Sequence, residues 1–347
     1  MMQDINASAI ERLHEFLKKT DQSNEIVLLT PDASTREYFR INWNNKSAIA
    51  CVYPQSFVAQ KQTFLDVTSL FLESGLPVAE IYHFDEKSGV IVQEDLGDAI
   101  LRPVLDKAEY EEKDEYLNQA IVLIAKIQAA TSKAFERNSI ASKLKFDEEK
   151  LLWELCFFKT HYFETLRQSP LSAAADKALN EEFTELARTL ENRAGVLCHR
   201  DFHAANLMIH SDGKLRIIDH QDARIGTASY DLVSLLLDRV SEVPSTSWIR
   251  EKRLFFLRQR ENLGLKHIDP DDFAFEFRLQ TIQRCLKAIG TFSFQSVNRG
   301  KTYFIPYIEP MFRIILQACE RLDKFPHLRE IIANQIEPQN NNFNNSA

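Results

Sequence analysis

Cys198-His199-Arg200-Asp201-Phe202-His203-Ala204-Ala205-Asn206, followed by Ile217-Ile218-Asp219, sets an acid, a carboxamide and a second acid at fixed intervals. Asn206 comes five residues after Asp201, and Asp219 thirteen after Asn206. Phosphoryl transfer needs one carboxylate to accept the acceptor's hydroxyl proton, and oxygen ligands to hold Mg²⁺ on the nucleotide phosphates. Asp201 fits the first need, and Asn206 with Asp219 fits the second. Val196-Leu197-Cys198 is an apolar run entering the stretch, and Leu207-Met208-Ile209 leaves it. Ser211-Asp212-Gly213-Lys214 is a turn signal, after which Leu215-Arg216-Ile217-Ile218 reads as a second strand. Such a hairpin brings Asn206 and Asp219 side by side at one end. The competing reading is a surface hairpin with solvated acids. Two apolar strands delivering acids at matched positions argue against it.

The pattern continues beyond this stretch. His199 to Met208 is followed by Ile218-Asp219-His220-Gln221-Asp222-Ala223 and by Tyr230-Asp231-Leu232-Val233-Ser234-Leu235. Upstream stand Asp32-Ala33-Ser34-Thr35-Arg36-Glu37-Tyr38-Phe39-Arg40, Gly75-Leu76-Pro77-Val78 and Glu94-Asp95-Leu96-Gly97-Asp98; downstream stands Gln283-Arg284-Cys285-Leu286-Lys287-Ala288-Ile289-Gly290. Together these resemble the aminoglycoside phosphotransferase and choline kinase group, which shares the protein-kinase-like fold. Within it the resemblance is strongest to the bacterial anomeric kinases of N-acetylmuramate and N-acetylglucosamine. It covers residues 25–322 or so. It implies ATP and Mg²⁺ as cofactors and a small-molecule sugar as acceptor. It also implies that Asp231 binds the backbone of the catalytic loop. His220 stands where the family usually has Phe.

Composition is that of an ordinary globular protein, 44% hydrophobic and 27% charged. A net charge of −8, with no basic cluster interleaved with aromatics, argues against a nucleic-acid partner. No apolar run approaches a membrane span, no signal segment opens the chain, and no obligate protein partner is evident. Cys51, Cys156, Cys198, Cys285 and Cys319 are scattered and contain no C-x-x-C; they read as buried free thiols in a reducing cytoplasm.

Apolar periodicity predicts a helix over 5–20 and strands at 27–29, 37–41 and 48–53, with Asn44-Asn45 as a turn. A helical stripe at 64–72 ends at Gly75 and Pro77, and strands follow at 80–84 and 90–93. Beyond Gly97 helices are expected at 115–135, 147–167, 173–193, 229–241, 247–264, 270–294 and 302–322. This order predicts an α+β, two-lobed, protein-kinase-like fold. A small β-rich N-lobe would cover 1–96, with a hinge at 93–97. A larger helical C-lobe would cover 97–336, and 337–347 would be a disordered Asn-rich tail.

Around the central motif the other candidates divide by role. Ser34 and Thr35 sit in a turn without glycine, whose N–H groups and hydroxyls could cradle phosphate. The third strand carries no lysine for the phosphates, and Arg36 or Arg40 is expected to supply that charge. Glu94 and Leu96 belong to the hinge, where main-chain groups would pair with adenine. His199, His203 and Asp231 are expected to support the loop structurally. Asp222 is either a loop acid or a contact of the metal or sugar. Glu154 is either an exposed helix acid or a sugar ligand. Gln283, Arg284 and Lys287 share one face of a helix, which is either solvated or a polar wall for an acidic sugar. Arg284 would suit a lactyl carboxylate. The function expected is an ATP-dependent sugar kinase acting at the anomeric hydroxyl. Kinases of aminoglycosides, choline or other metabolites remain alternatives, as does a non-catalytic nucleotide-binding regulator, suggested by the missing lysine.

Overall fold

A computed structural model describes residues 8–29 and 36–336. Ser34, Thr35 and the tail 337–347 lie outside the described residues. In chain order the first elements are α1 (Ala9–Lys19), β1 (Ile26–Leu29), β2 (Glu37–Trp43), β3 (Lys46–Val52), α2 (Thr63–Glu73), β4 (Ile81–Asp85) and β5 (Val90–Glu94). Then come α3 (Leu101–Leu105), α4 (Tyr110–Ala129), α5 (Thr131–Glu136), α6 (Ile140–Lys143), α7 (Glu148–Lys159) and α8 (Ala173–Arg193). Short strands β6 (Val196–Cys198), β7 (Leu207–Ile209), β8 (Leu215–Ile217) and β9 (Arg224–Gly226) precede α9 (Tyr230–Leu237), α10 (Thr246–Asn262), α11 (Pro270–Arg299), α12 (Ile308–Leu322) and α13 (Pro326–Ile336). Contacts divide the chain into two compact units. One holds the described residues up to Lys143 together with Ala204–Ala223; the other holds Leu144–His203 and the described residues from Arg224 onward.

The first unit is built on an antiparallel sheet of order β1-β2-β3-β5-β4. Asn44 and Asn45, at φ 50° and 62°, form the left-handed turn that a tight hairpin prefers, with Trp43 paired to Lys46. Alternation then sorts the side chains. Phe39, Ile41, Trp43, Ala48, Ala50, Val52, Val90 and Val92 share a core with Leu13, Phe16 and Leu17 of α1. Each large side chain buried there contributes roughly 1.5–3 kcal/mol. The opposite face, with Cys51 and Ile91, packs on Phe64 of α2. A capping box opens α1: Glu11 N–H donates to Ser8 Oγ, and Ser8 N–H donates to the Glu11 carboxylate at 2.7 Å. The β7–β8 hairpin joins this unit through an Ile209 N–H bond to the Ala99 carbonyl, 2.7 Å, and a bridge from Val78 to Ile217.

The second unit is helical, organised on the thirty residues of α11, a span of about 45 Å. Asp269 caps α11, Pro270 occupies its first turn, and Gly300 closes it at φ 66°. Helices α7, α9 and α12 pack along it. At Gly290 a Cβ would stand 2.7 Å from the Phe158 Cα of α7, so the two backbones meet where only hydrogen fits.

The expected elements form, with differences of detail. The 115–135 helix breaks at Ala130 into α4 and α5, and the helix begun at 147 continues past Lys159 as a π-helical stretch, Thr160–Leu166. Helices α3, α6 and α13 and strand β9 lie outside the expected spans; α3 and α6 are single short turns of helix, and β9, paired with β6, carries a single large apolar residue, too little for a pattern. Cys156 is exposed, correcting the expectation of five buried thiols: it lies on the outward side of α7. No helix among the described residues is long and apolar enough to cross a membrane.

Candidate active site

Strand β6 ends at Cys198, and the chain turns at Arg200 with φ +87°, a left-handed conformation unusual outside glycine. Asp231, buried in the first turn of α9, holds that turn. Its carboxylate accepts the His199 N–H at 2.7 Å and the Arg200 N–H at 3.1 Å. Burial pushes the Asp231 carboxyl upward, while His199 and these two bonds oppose it. Asp201, presented by this turn, faces three cations. Lys287 Nζ lies at 2.9 Å, with Arg284 and Arg200 nitrogens each at 3.8 Å. Burial disfavours its charge, but Lys287, Arg200 and Arg284 outweigh burial and hold the carboxyl well below the usual range.

The 283–287 face is a buried wall rather than a solvated one. Arg284 donates to Ser234 Oγ at 2.6 Å and to the Tyr230 hydroxyl at 3.4 Å, and lies over the Tyr230 ring. Burial lowers the Lys287 ammonium's pKa, Arg284 adds to this, and Asp201 opposes it. Glu154 is buried, not an exposed helix acid. It accepts from Gln283 at 2.7 Å, which accepts from Gln280 at 2.8 Å, which in turn accepts from Thr227 at 2.8 Å. His199 is fully buried with its ring edge against Phe202. Burial holds the His203 imidazole below its ordinary pKa, opposed by Asp238. The two histidines are thus packed into the loop.

Asn206 and Asp219 belong to the other unit. The Leu207–Ile217 pairing and the Ile218 N–H bond to the Asn206 carbonyl, 3.1 Å, place them at the open end of one hairpin. Asp219 has φ +60° and accepts from Gln221 Nε2 at 2.8 Å and from Arg36 at 3.4 Å. Arg36 sits beside the rings of Tyr38 and Tyr53. His220 fills a slot between Phe64 and Phe71, with ring centroids 5.1 and 5.3 Å away. Its Nε2 meets Thr68 Oγ1 at 2.7 Å; that hydroxyl donates to the Phe64 carbonyl, so Nε2 carries the proton. An aromatic ring is therefore kept in the position where the family usually has Phe.

Arg40 is committed elsewhere: it bonds Asp95 and Asp98, each at 2.7 Å, while Ser47 and the Gly97 N–H also bond Asp95. Of the two arginines, Arg36 is the one at the metal-ligand candidate. Glu94 pairs by its backbone with Glu80, and Leu96 is buried. Asp222 is half-buried in the turn before β9. Among the described residues no group of three or more His, Cys, Asp and Glu is arranged to hold a metal. Mg²⁺ on nucleotide phosphates needs only one or two protein oxygens, and the amide of Asn206 with the carboxylate of Asp219 fits that hard-oxygen preference. Thr68 supports His220 with no motif to mark it, whereas Gln221, Tyr230 and Ser234 lie inside the runs 218–223 and 230–235, where the sequence alone does not assign their supporting contacts.

A profile for the phosphotransferase enzyme family matches residues 25–251, and the chain belongs to that family. It is a phosphotransferase with a hydroxyl acceptor, on a two-lobed, kinase-like α+β fold. The N-acetylmuramate/N-acetylglucosamine kinase of Neisseria meningitidis serogroup B is 26% identical over 314 residues, 90% of each chain. Its namesake from Pseudomonas aeruginosa is 25% identical, covering 89% of this chain and 88% of that one. Among solved structures, the aminoglycoside phosphotransferase APH(2'')-Ib with ADP bound aligns over 88% of this chain and 97% of its own, with TM-score 0.53 and 15% identity. Choline kinase LicA from Streptococcus pneumoniae aligns over 88% and 98%, with TM-score 0.54 and 14% identity.

Proposed function

We propose that the chain is an ATP- and Mg²⁺-dependent kinase that phosphorylates the anomeric hydroxyl of N-acetylmuramate or N-acetylglucosamine. The observation that carries this reading is Asp201 beneath three cations. A carboxylate whose charge is already matched by three neighbouring cations is a poor base for an ordinary alcohol. The anomeric hydroxyl is the most acidic of a sugar's hydroxyls, so an aspartate that orients it and takes the proton late suffices. The same positive field disfavours polycationic aminoglycosides and the quaternary ammonium of choline. The relatives' names and the runs at 219–223, 230–235 and 283–290 point to the same acceptor.

Asp201 aligns the hydroxyl oxygen for attack on the terminal phosphorus. A phosphorus–oxygen bond forms, the bond to the bridging oxygen breaks, and the hydroxyl proton passes to Asp201. Lys287 neutralises Asp201 and offers positive charge to the transferred group. Arg284, committed to Ser234 and Tyr230, orients Asp201 and, in this reading, does not grip a lactyl group. Asn206 and Asp219 would hold Mg²⁺, which when bound screens phosphate charge. Arg36 supplies the cation that the third strand lacks, and the Glu94–Leu96 backbone receives the adenine. Phosphorus NMR of products from a panel of N-acetylmuramate, N-acetylglucosamine, other hexoses and choline tests the proposal. A phosphate coupled to the anomeric proton is expected. A 6-phosphate, or phosphocholine as the main product, would overturn it.

A further inference from the structure

Apart from Asp201 and its partners, the second unit holds a cavity of about 80 Å³ lined by Arg253 of α10, Arg278 of α11 and Arg321 of α12. That is several times the space one water needs. The rest of its lining is mostly apolar, with Leu237, Val243, Ile249, Phe277 and Ile314, and includes the polar side chains of Thr246, Thr281 and Gln317. Three guanidinium groups from three helices converge here, in a chain of net charge −8. Among the described residues none of the three has a carboxylate at ion-pair distance; Arg321 donates to Thr246 Oγ1 at 2.7 Å. Arg253 keeps its Nε buried without an acceptor. Burial, followed by Arg278, Arg250 and Arg321, pushes the Arg253 guanidinium down to about 10, with Asp271 opposing. Burial and Arg321 also lower Arg278. Neither a buried orphan donor nor mutual repulsion stabilises a fold, since both cost folding free energy.

We infer that this cavity is a binding site for a small phosphate monoester, distinct from the catalytic site. The arginines would receive the dianionic head, for which planar guanidinium forks are suited, and the aliphatic wall with Phe277 would receive a compact apolar body. Arg278 and Lys287 lie nine residues apart on α11, roughly 13 Å along its axis, so the head cannot be the group that Lys287 attends. The inference does not depend on the sugar-kinase reading, because it uses none of the residues placed there.

Calorimetric titration of the full chain with phenyl phosphate, inorganic phosphate and benzoate tests it, with the nucleotide site filled by a non-hydrolysable ATP analogue. Phenyl phosphate should bind best, inorganic phosphate more weakly and benzoate least. Arg253→Gln with Arg278→Gln should weaken phenyl phosphate by about tenfold or more, the loss of a charge-assisted contact. In anion-free buffer the same double variant should melt higher than the parent, since repulsion is relieved, and phenyl phosphate should no longer raise its Tm. Equal binding by parent and variant, phenyl phosphate binding that is seen in the nucleotide-free chain but lost once the ATP analogue is present, or a variant that melts lower in anion-free buffer would each overturn the proposal. The last outcome would make the arginines structural.

Discussion

Asp201 and Asp219 are both carboxylates placed by turns in left-handed conformation, yet their surroundings are opposite. Asp201 lies under Lys287, Arg284 and Arg200 and next to a backbone clamped by buried Asp231. Among the described residues Asp219 has one guanidinium, Arg36, at 3.4 Å, and one amide, Gln221. A base whose charge is already matched keeps its position and its ionisation whatever arrives. A ligand with a single loose cation can exchange it for a metal. The difference separates a fixed group from an exchangeable one, and substitutions at the two positions should behave differently.

The largest effect is expected at Asp201. Asp201→Asn should lower kcat about 10²–10⁴-fold while leaving ATP affinity unchanged; near-normal turnover by a folded variant would remove Asp201 from the chemistry. Its pH behaviour follows from the depressed pKa. The pairing is complete above the unfolded-state value near about 4 and is lost only as pH falls through the lower folded value. The acid limb of kcat/KM should therefore not be set by Asp201 anywhere between pH 5 and 8, and Asp201→Asn should leave that limb's position unmoved.

Asp219→Ala should abolish the tightening of ATP binding by Mg²⁺, read by titrations with and without the metal. An undiminished Mg²⁺ effect would place the metal elsewhere. Arg36→Met should raise the KM for ATP about tenfold, the loss of one charge-assisted contact. Arg40→Met should disturb folding stability more than KM, because its donors go to Asp95 and Asp98. If the two variants behave alike, Arg36 has no special place at the phosphates. The smallest effect belongs to His220→Phe. The slot between Phe64 and Phe71 accepts an aromatic ring, and the change leaves Thr68 Oγ1 its bond to the Phe64 carbonyl, so thermal unfolding should show a loss below about 1.5 kcal/mol. His220→Ala should cost several-fold more.

The features legible in sequence were those with a period or a motif. Strands β2 and β3 alternate, α8 fills 173–193 as its apolar spacing predicts, and the hairpin carrying Asn206 and Asp219 is flanked by apolar triplets and a turn. What stayed open was set by tertiary packing. One helical face at 283–287 could be solvated or buried from its spacing alone; the packing of α7 on Gln283, α9 on Arg284 and Asp201 on Lys287 decides for burial. Likewise Arg36 and Arg40 look equivalent in sequence. Asp95 and Asp98 distinguish them, and both come from a segment more than fifty residues downstream. Glu154 looked like any acid on a helix until Gln283 met it from 129 residues away.

Gly290 also constrains how this chain can change. At most positions of α11 a substitution trades one side chain for another; at 290 the smallest addition, one methyl group, collides with the main chain of α7, which has no rotamer to yield. The loss would be read at Asp201, because displacing α11 from α7 carries Lys287, one turn away, with it. In a saturation library screened for turnover, position 290 should therefore return a single amino acid, in a chain where chemically bolder replacements on the protein's surface pass unnoticed.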